Sequence, residues 1–578
     1  MNISSNFVES TLIALIEILK TNPYSKFFRS LSDITNLHDH QIQIRYDPGF
    51  DQRVFNTPTT SQVAAIWVED NENTNVRTHD ISIYGHSDNS HKVHYYYRCY
   101  DPLQYPLLFP YRESDWHEGI ERCRMLGEAK KRTQVSCREY YSYKLQIRLS
   151  GKFVLLHAGR LLQQYVVDMY VKIETARLDY FRNNQKQIRA KLYQGIVDSV
   201  KNGETRECKV GRKFVLPQSF TCGPRDMLRR YMDEIAIVQR YGKSDIFLTI
   251  TCNPNWLEIK QELKNNDEVQ NRPDLIVRIF RAKLEKLKHD LYKVSILGLV
   301  IAHIYVIEFQ KRGFLHAHML LIFNSKNKIT SVEEVDRIVS CEIPDKMKYP
   351  HLHSVIVRHN VHGSCRNLNS KKTCIEGNKG CKNKYPRDFC NITVFGQDSY
   401  SLYKRHDTNI SVRVRGKMLD NRWVVSYNLY LSAKFDCHIN VEVCSSIKSV
   451  KYLYKYVYKG HDRINFSVHT NEIEKEIDEI SAYQSARWIS PPEAMWRIFS
   501  FNLSEICPTV YSLQLHIENH QQVMYDNEDN LYTVVQNENT RKTMLTEFFR
   551  MNEENEFARI LLYRGFPTHF VWNTNKKV

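Results

Sequence analysis

The feature that most constrains this chain is a pair of apolar runs, 298–310 and 315–323, separated by little more than Lys311-Arg312-Gly313. A link that short joins two strands only as an antiparallel hairpin, so a sheet has to be built around this pair. Side chains alternate across a strand, which puts His316 and His318 on one face and Ala317 on the other. By the same rule Glu308 and Gln310 share a face of the first strand. The hairpin therefore sets one of them opposite the histidines.

The rest of the chain mixes helix and strand signals without the regular alternation of a doubly wound fold. Helical spacing is expected at 158–191, 227–241, 274–292, 490–501 and 543–563, and strands at 245–251 and 439–443. This pattern predicts an α+β fold with an antiparallel sheet. In the 158–191 helix the apolar positions are Leu161, Leu162, Tyr165, Val166, Met169, Tyr170 and Ile173. Arg160, Lys172, Arg177, Arg182, Lys186 and Arg189 are assigned to the other face, either solvated or touching phosphate. Five regions follow: 1–130, a variable front section with an aromatic segment; 131–345, the first part of the core; 346–392, a Cys/His-rich insertion; 393–465, the second part of the core with a tyrosine-rich helix; and 466–578, a helical linker.

Composition narrows the partners. There are 81 Lys and Arg against 65 Asp and Glu, a formal charge of +16, with 35 Tyr, 26 Phe and 7 Trp. A basic, aromatic-rich chain suits a ligand with phosphates and stackable bases. The longest apolar stretch, 294–307, is broken by Ser295 and His303 and is too short to span a bilayer. Residues 1–22 lack the basic start, apolar core and cleavage site of a secretory signal, so the 14 cysteines are expected to be reduced and intracellular. Gly242-Lys243-Ser244 has Ile237 where a phosphate loop needs its first glycine, so no ATPase motif is complete.

Two clusters carry chemistry. His316, His318 and an oxygen from Glu308 or Gln310 make a ligand set that leaves positions open for substrate. Tyr452 and Tyr456, four apart, share one face of a basic helix that has Lys448, Lys451, Lys455 and Lys459 and no acid between Ile447 and His461. A phenol, with a reference pKa near 10, becomes nucleophilic where cations favour the phenolate. Lys455 and Lys459 are placed to do that, and Thr249, Thr251, Lys448 and Lys451 are assigned as DNA contacts. Separately, His362, Cys365, Cys374, Cys381 and Cys390 offer five soft ligands for a structural zinc ion, although their spacing is longer than a zinc ribbon's.

Phe247-Leu248-Thr249-Ile250-Thr251, then His316-Ala317-His318, then Tyr452-x-x-x-Tyr456 resembles the three motifs of HUH endonucleases. Longer stretches, including Gln163-Gln164-Tyr165-Val166-Val167-Asp168, Cys252-Asn253-Pro254-Asn255-Trp256 and Val306-Ile307-Glu308-Phe309-Gln310-Lys311-Arg312-Gly313, resemble the Helitron helicase-like domain of Helitron transposon proteins. The resemblance runs over roughly residues 95–575 and departs from the usual pattern at Ser426, where proline is expected. It implies an HUH/Rep-like sheet with flanking helices, His316 and His318 as ligands of Mg²⁺ or Mn²⁺, and Tyr452 and Tyr456 as nucleophiles. The implied reaction nicks single-stranded DNA at transposon ends and transfers the strand through a 5′-phosphotyrosine. The alternative is an inactive, transposon-derived DNA-binding protein. Nuclear residence follows from the genomic substrate, and a superfamily-1 helicase is expected beyond Lys577-Val578.

Overall fold

The computed structural model describes residues 9–23, 25–26, 64–66, 81–84, 90–111, 113, 115–123, 133–148, 154–185, 191–192, 197, 200–201, 214–264, 267–309, 314–363, 381, 383–396, 401–444, 478–484, 489–523 and 530–573. Its centre is a sheet built on the expected hairpin. The strands are β1 (Ile246–Thr251), β2 (Val300–Phe309), β3 (Leu315–Phe323), β4 (Ile439–Val443) and β5 (Ser504–Cys507). They lie in the order β4-β1-β3-β2-β5, every pair antiparallel. β3 sits in the middle, and eight of its nine residues are buried, which explains its nearly unbroken apolar sequence.

The two faces of the sheet differ. Leu248, Ile250, Tyr305, Ile307, Ala317, Met319 and Leu321 point into the main core. Covering that side are α1 (Cys137–Lys144), α2 (Arg160–Asn183), α4 (Pro273–Tyr292) and α6 (Pro491–Ile498). Along α4, Phe280, Leu284, Leu287 and Leu291 recur every three or four residues and are buried, each contributing about 1.5–3 kcal/mol. On the other face Phe247, Ala302, Ile304, Val306, Leu320 and Ile322 pack with Ile237 and Val238 of α3 (Pro224–Tyr241). Pro224 starts α3, and Gly242, at φ +86, ends it in a backbone conformation that side chains disfavour. α3 covers only the apolar half of this face and so leaves the half with the histidines to other chemistry.

Two expectations need correction. The region 466–578 is not only a helical linker: β5 is an edge strand of the central sheet, and α6 packs on α2 and α4, with Ala494, Met495, Trp496 and Ile498 in the main core. Lys172 does not lie on a solvated face. It is fully buried, its Nζ 3.3 Å from Asp101 and 2.7 Å from the Tyr141 hydroxyl, and paired also with Asp115. The reason is visible in its spacing: Lys172 lies three residues after Met169 and seven after Tyr165, on the apolar stripe itself. Asp101 comes from the aromatic segment, whose Tyr105 and Phe109 join the same core. The front section is thereby tied to α2 by a buried charge network.

Candidate active site

The antiparallel register places the polar side chains in rows across the sheet. Thr251 on β1, His316 on β3 and Glu308 on β2 are cross-strand neighbours, and Thr249, His318 and Val306 form the next row. Thr251 Oγ1 lies 2.9 Å from His316 Nδ1, and Thr249 Oγ1 lies 3.0 Å from His318 Nδ1. These hydroxyls, expected to meet DNA, are engaged with the imidazoles. The two rings stand parallel, 9° between planes and 6.3 Å between centroids, and His318 also stacks on Phe247.

Holding each Nδ1 turns each Nε2 the other way. His318 Nε2 meets Glu308 Oε2 at 2.7 Å, so the glutamate reaches diagonally past its cross-strand neighbour. His316 Nε2 is buried with no hydrogen-bond partner among the described residues. Assigning the Nδ1 proton to the Thr251 hydrogen bond leaves a lone pair on His316 Nε2, the form in which imidazole binds a metal. Burial above all, helped by the neighbouring His318 and His438 and opposed by Glu308, pulls the His316 pKa down to about 4. The ring is therefore neutral at physiological pH, and the cost of its unpaired nitrogen would be relieved by a cation there. His438, which precedes β4, lends its carbonyl to Thr251 N at 3.0 Å and so flanks the row; nothing in its sequence context singled it out.

The other expected site residues divide. Gln310, Lys448, Lys451, Tyr452, Lys455, Tyr456 and Lys459 lie outside the described residues, as do Cys365 and Cys374. His362 Nε2 and Cys381 Sγ approach to 3.5 Å, and Tyr385 stacks on the His362 ring. Cys390, bridged through its backbone to Arg405, donates from Sγ instead to the Ile392 carbonyl at 2.7 Å. Among the described residues no three His, Cys, Asp or Glu side chains are gathered as a metal cage, at the zinc cluster or elsewhere. At the histidines, Glu308 is committed to His318.

Residues 140–321 match the family model described as the Helitron helicase-like domain at the N-terminus. This stretch of the chain is similar to the Helitron helicase-like domain. The match starts within α1, ends within β3, and includes Thr249, Thr251, Glu308, His316 and His318. None of the curated proteins matches the chain. The matched stretch thus supplies β1, β2 and nearly all of β3, while β4, β5 and α6 complete the sheet and core from beyond it. Among the described residues no helix is long and apolar enough to cross a membrane.

Proposed function

We propose that this protein nicks single-stranded DNA at transposon ends and transfers the cut strand, in the manner of HUH endonucleases. The observation that supports it best is His316 Nε2, buried and unpartnered among the described residues, beside a second imidazole and a carboxylate on one face of an antiparallel sheet. His316 and His318 would hold Mg²⁺ or Mn²⁺, with Glu308 or Gln310 as the oxygen ligand. Such an ion, when bound, supplies positive charge to the phosphoryl oxygens. Thr249 and Thr251 keep the imidazole rings in register, and Phe247 fixes the plane of His318.

In the chemical step the hydroxyl oxygen of Tyr452 or Tyr456 bonds to phosphorus and the bond from phosphorus to the 3′ oxygen breaks. The phenol gives up a proton and the departing 3′ oxygen takes one, so charge and atoms balance. Lys455 and Lys459 favour the phenolate. Strand transfer is the reverse attack by a 3′-hydroxyl, which needs no ATP. The site of action would be the nucleus, and a helicase domain or protein is the natural partner for unwinding.

The test is incubation with a labelled single-stranded oligonucleotide and Mn²⁺, followed by denaturation. A protein–DNA adduct that disappears in Y452F/Y456F and in His316→Ala is the expected result. The competing function, a DNA-binding protein without catalysis, is favoured by one observation: Glu308 is paired with His318 and no three-ligand cage is formed among the described residues. Oligonucleotide binding with no adduct at any divalent concentration would establish that alternative.

A further inference from the structure

At the β5 edge of the sheet, between α2 and α3, lies a cavity of about 260 Å³ lined by four arginines, Arg138, Arg177, Arg230 and Arg497, and by a single carboxylate, Glu174. Two of the arginines are held from behind. Arg230 pairs with Asp226 at 2.9 Å and donates to Ser504 Oγ at 2.6 Å. Arg497 lies 3.5 Å from Glu493 and donates to Cys222 Sγ at 3.1 Å, while its Nε is buried without a partner. Glu174 accepts from the Tyr170 and Tyr483 hydroxyls. Arg138 and Arg177 have no carboxylate partner among the described residues: Arg138 donates to Ser500 Oγ at 2.8 Å, and Arg177 lies over the Phe220 ring. Burial, with the neighbouring Arg177 and Arg497 charges, lowers the Arg138 pKa. Gathering guanidinium groups this way costs free energy that a bound anion returns.

The position of the cavity says which anion. Ser504 pairs with Val306, and Ile307 N donates to Leu503 O at 2.7 Å, so the residues that floor the cavity run beside the segment ending in Glu308. Neighbouring strands are about 4.8 Å apart, so Ser504, which Arg230 holds, lies one strand over from the strand that carries Glu308. On its other side the cavity shares Arg138, Ile173, Arg177 and Ser500 with a groove of about 1030 Å³ whose wall includes Tyr180 and Phe181. Tyr180 is 55% exposed, so its ring is open to a stacking partner. Guanidinium groups followed by the open ring of Tyr180, with the partly buried Phe181 beside it, fit a phosphate backbone that carries unpaired bases better than a free inorganic anion.

We propose that Arg138, Arg177, Arg230 and Arg497 bind a backbone phosphate of single-stranded DNA flanking the cleaved position, and that the adjoining groove takes its bases on Tyr180 and Phe181. This deepens the nicking function and rests on it for the identity of the strand, but the arginine pocket can be tested without any chemistry.

The experiment measures binding of a fluorescent 20-nucleotide single strand in EDTA, across a salt series, for the full chain and for Arg138→Gln/Arg177→Gln. The double variant is expected to bind about ten-fold more weakly or worse, with the slope of log affinity against log salt reduced by about 0.7, the contribution of the one phosphate contact on a single strand that the pocket makes. Arg177→Lys is expected to recover the slope more than the affinity, because it keeps charge and loses the bidentate fork. Should the double variant misfold, phenylglyoxal footprinting of the unaltered protein replaces it, and the oligonucleotide is expected to protect Arg138 and Arg177. Unchanged affinity and slope, or no protection, overturns the proposal. So does a pocket in which inorganic phosphate protects both arginines and the oligonucleotide does not. Because no metal is present, loss of nicking in the adduct assay leaves this result untouched, and loss of binding here does not remove the histidine site.

Discussion

Glu308 stands directly across from His316 in the strand register, yet its carboxylate bonds His318, at 2.7 Å. Glu308→Ala is therefore expected to weaken Mn²⁺ binding at least about ten-fold, a loss comparable with those seen when a metal site's supporting groups are removed. Calorimetric titration with Mn²⁺ measures it, and unchanged affinity would assign the third ligand elsewhere.

Thr251 acts on His316 through one hydrogen bond of 2.9 Å. Thr251→Val keeps the shape and removes the hydroxyl, so it should cost about 1 kcal/mol of stability and free the imidazole to rotate. Metal affinity is expected to fall with it. Thr251→Ser should restore the affinity, which separates ring orientation from strand packing.

Lys172 offsets two carboxylates in a site with no solvent access. Lys172→Met leaves Asp101 and Asp115 facing each other uncompensated and is expected to destabilise by about 3–5 kcal/mol. The pH dependence has a sign. Burial first, and then the Asp115 charge, already raises the Asp101 pKa, and removing the lysine raises it further. A carboxyl whose folded pKa is raised binds a proton that the unfolded chain releases, so stability falls as pH rises above the ordinary carboxylate value. Melting temperatures should thus separate more at pH 7.5 than at pH 5.

Glu234 on α3 is buried, with Oε2 unpartnered among the described residues, and burial pushes its pKa up to about 9 against the pull of Arg230. In the folded protein it stays protonated while the unfolded chain ionises above about 4.5, so this group makes stability decline between those values. Each pH unit over which the states differ by one proton costs about 1.4 kcal/mol. Glu234→Gln is expected to raise the melting temperature at pH 8 and to flatten its decline with pH. An unaltered profile would mean that the carboxyl is solvated or paired.

Much of the fold was legible because it is written in local periodicity. Strand β3 spans the expected residues, and the hairpin partner, α4 and β4 fall where apolar spacing put them. His316 and His318 share a face because strands alternate. The threonines were legible as residues and not as roles, since a hydroxyl two strands of sequence away finds its imidazole only through register. Lys172 was misplaced because a charge on an apolar stripe reads as an interruption until the buried acids that match it, from residues 101 and 115, are seen beside it.

Local sequence settles what a chain decides within a few residues: strand and helix periods, which side chains share a face, and motifs that resemble the Helitron helicase-like domain. The tertiary structure decided what depends on residues far apart meeting in a dry interior. It turned Glu308 toward His318, left His316 Nε2 without a partner, made β5 from a supposed linker an edge of the sheet, and gathered Arg138, Arg177, Arg230 and Arg497 from four separate segments around one cavity. The physical reason is that hydrogen bonds and charges act over a few ångströms of space, and the distance along the chain does not enter them.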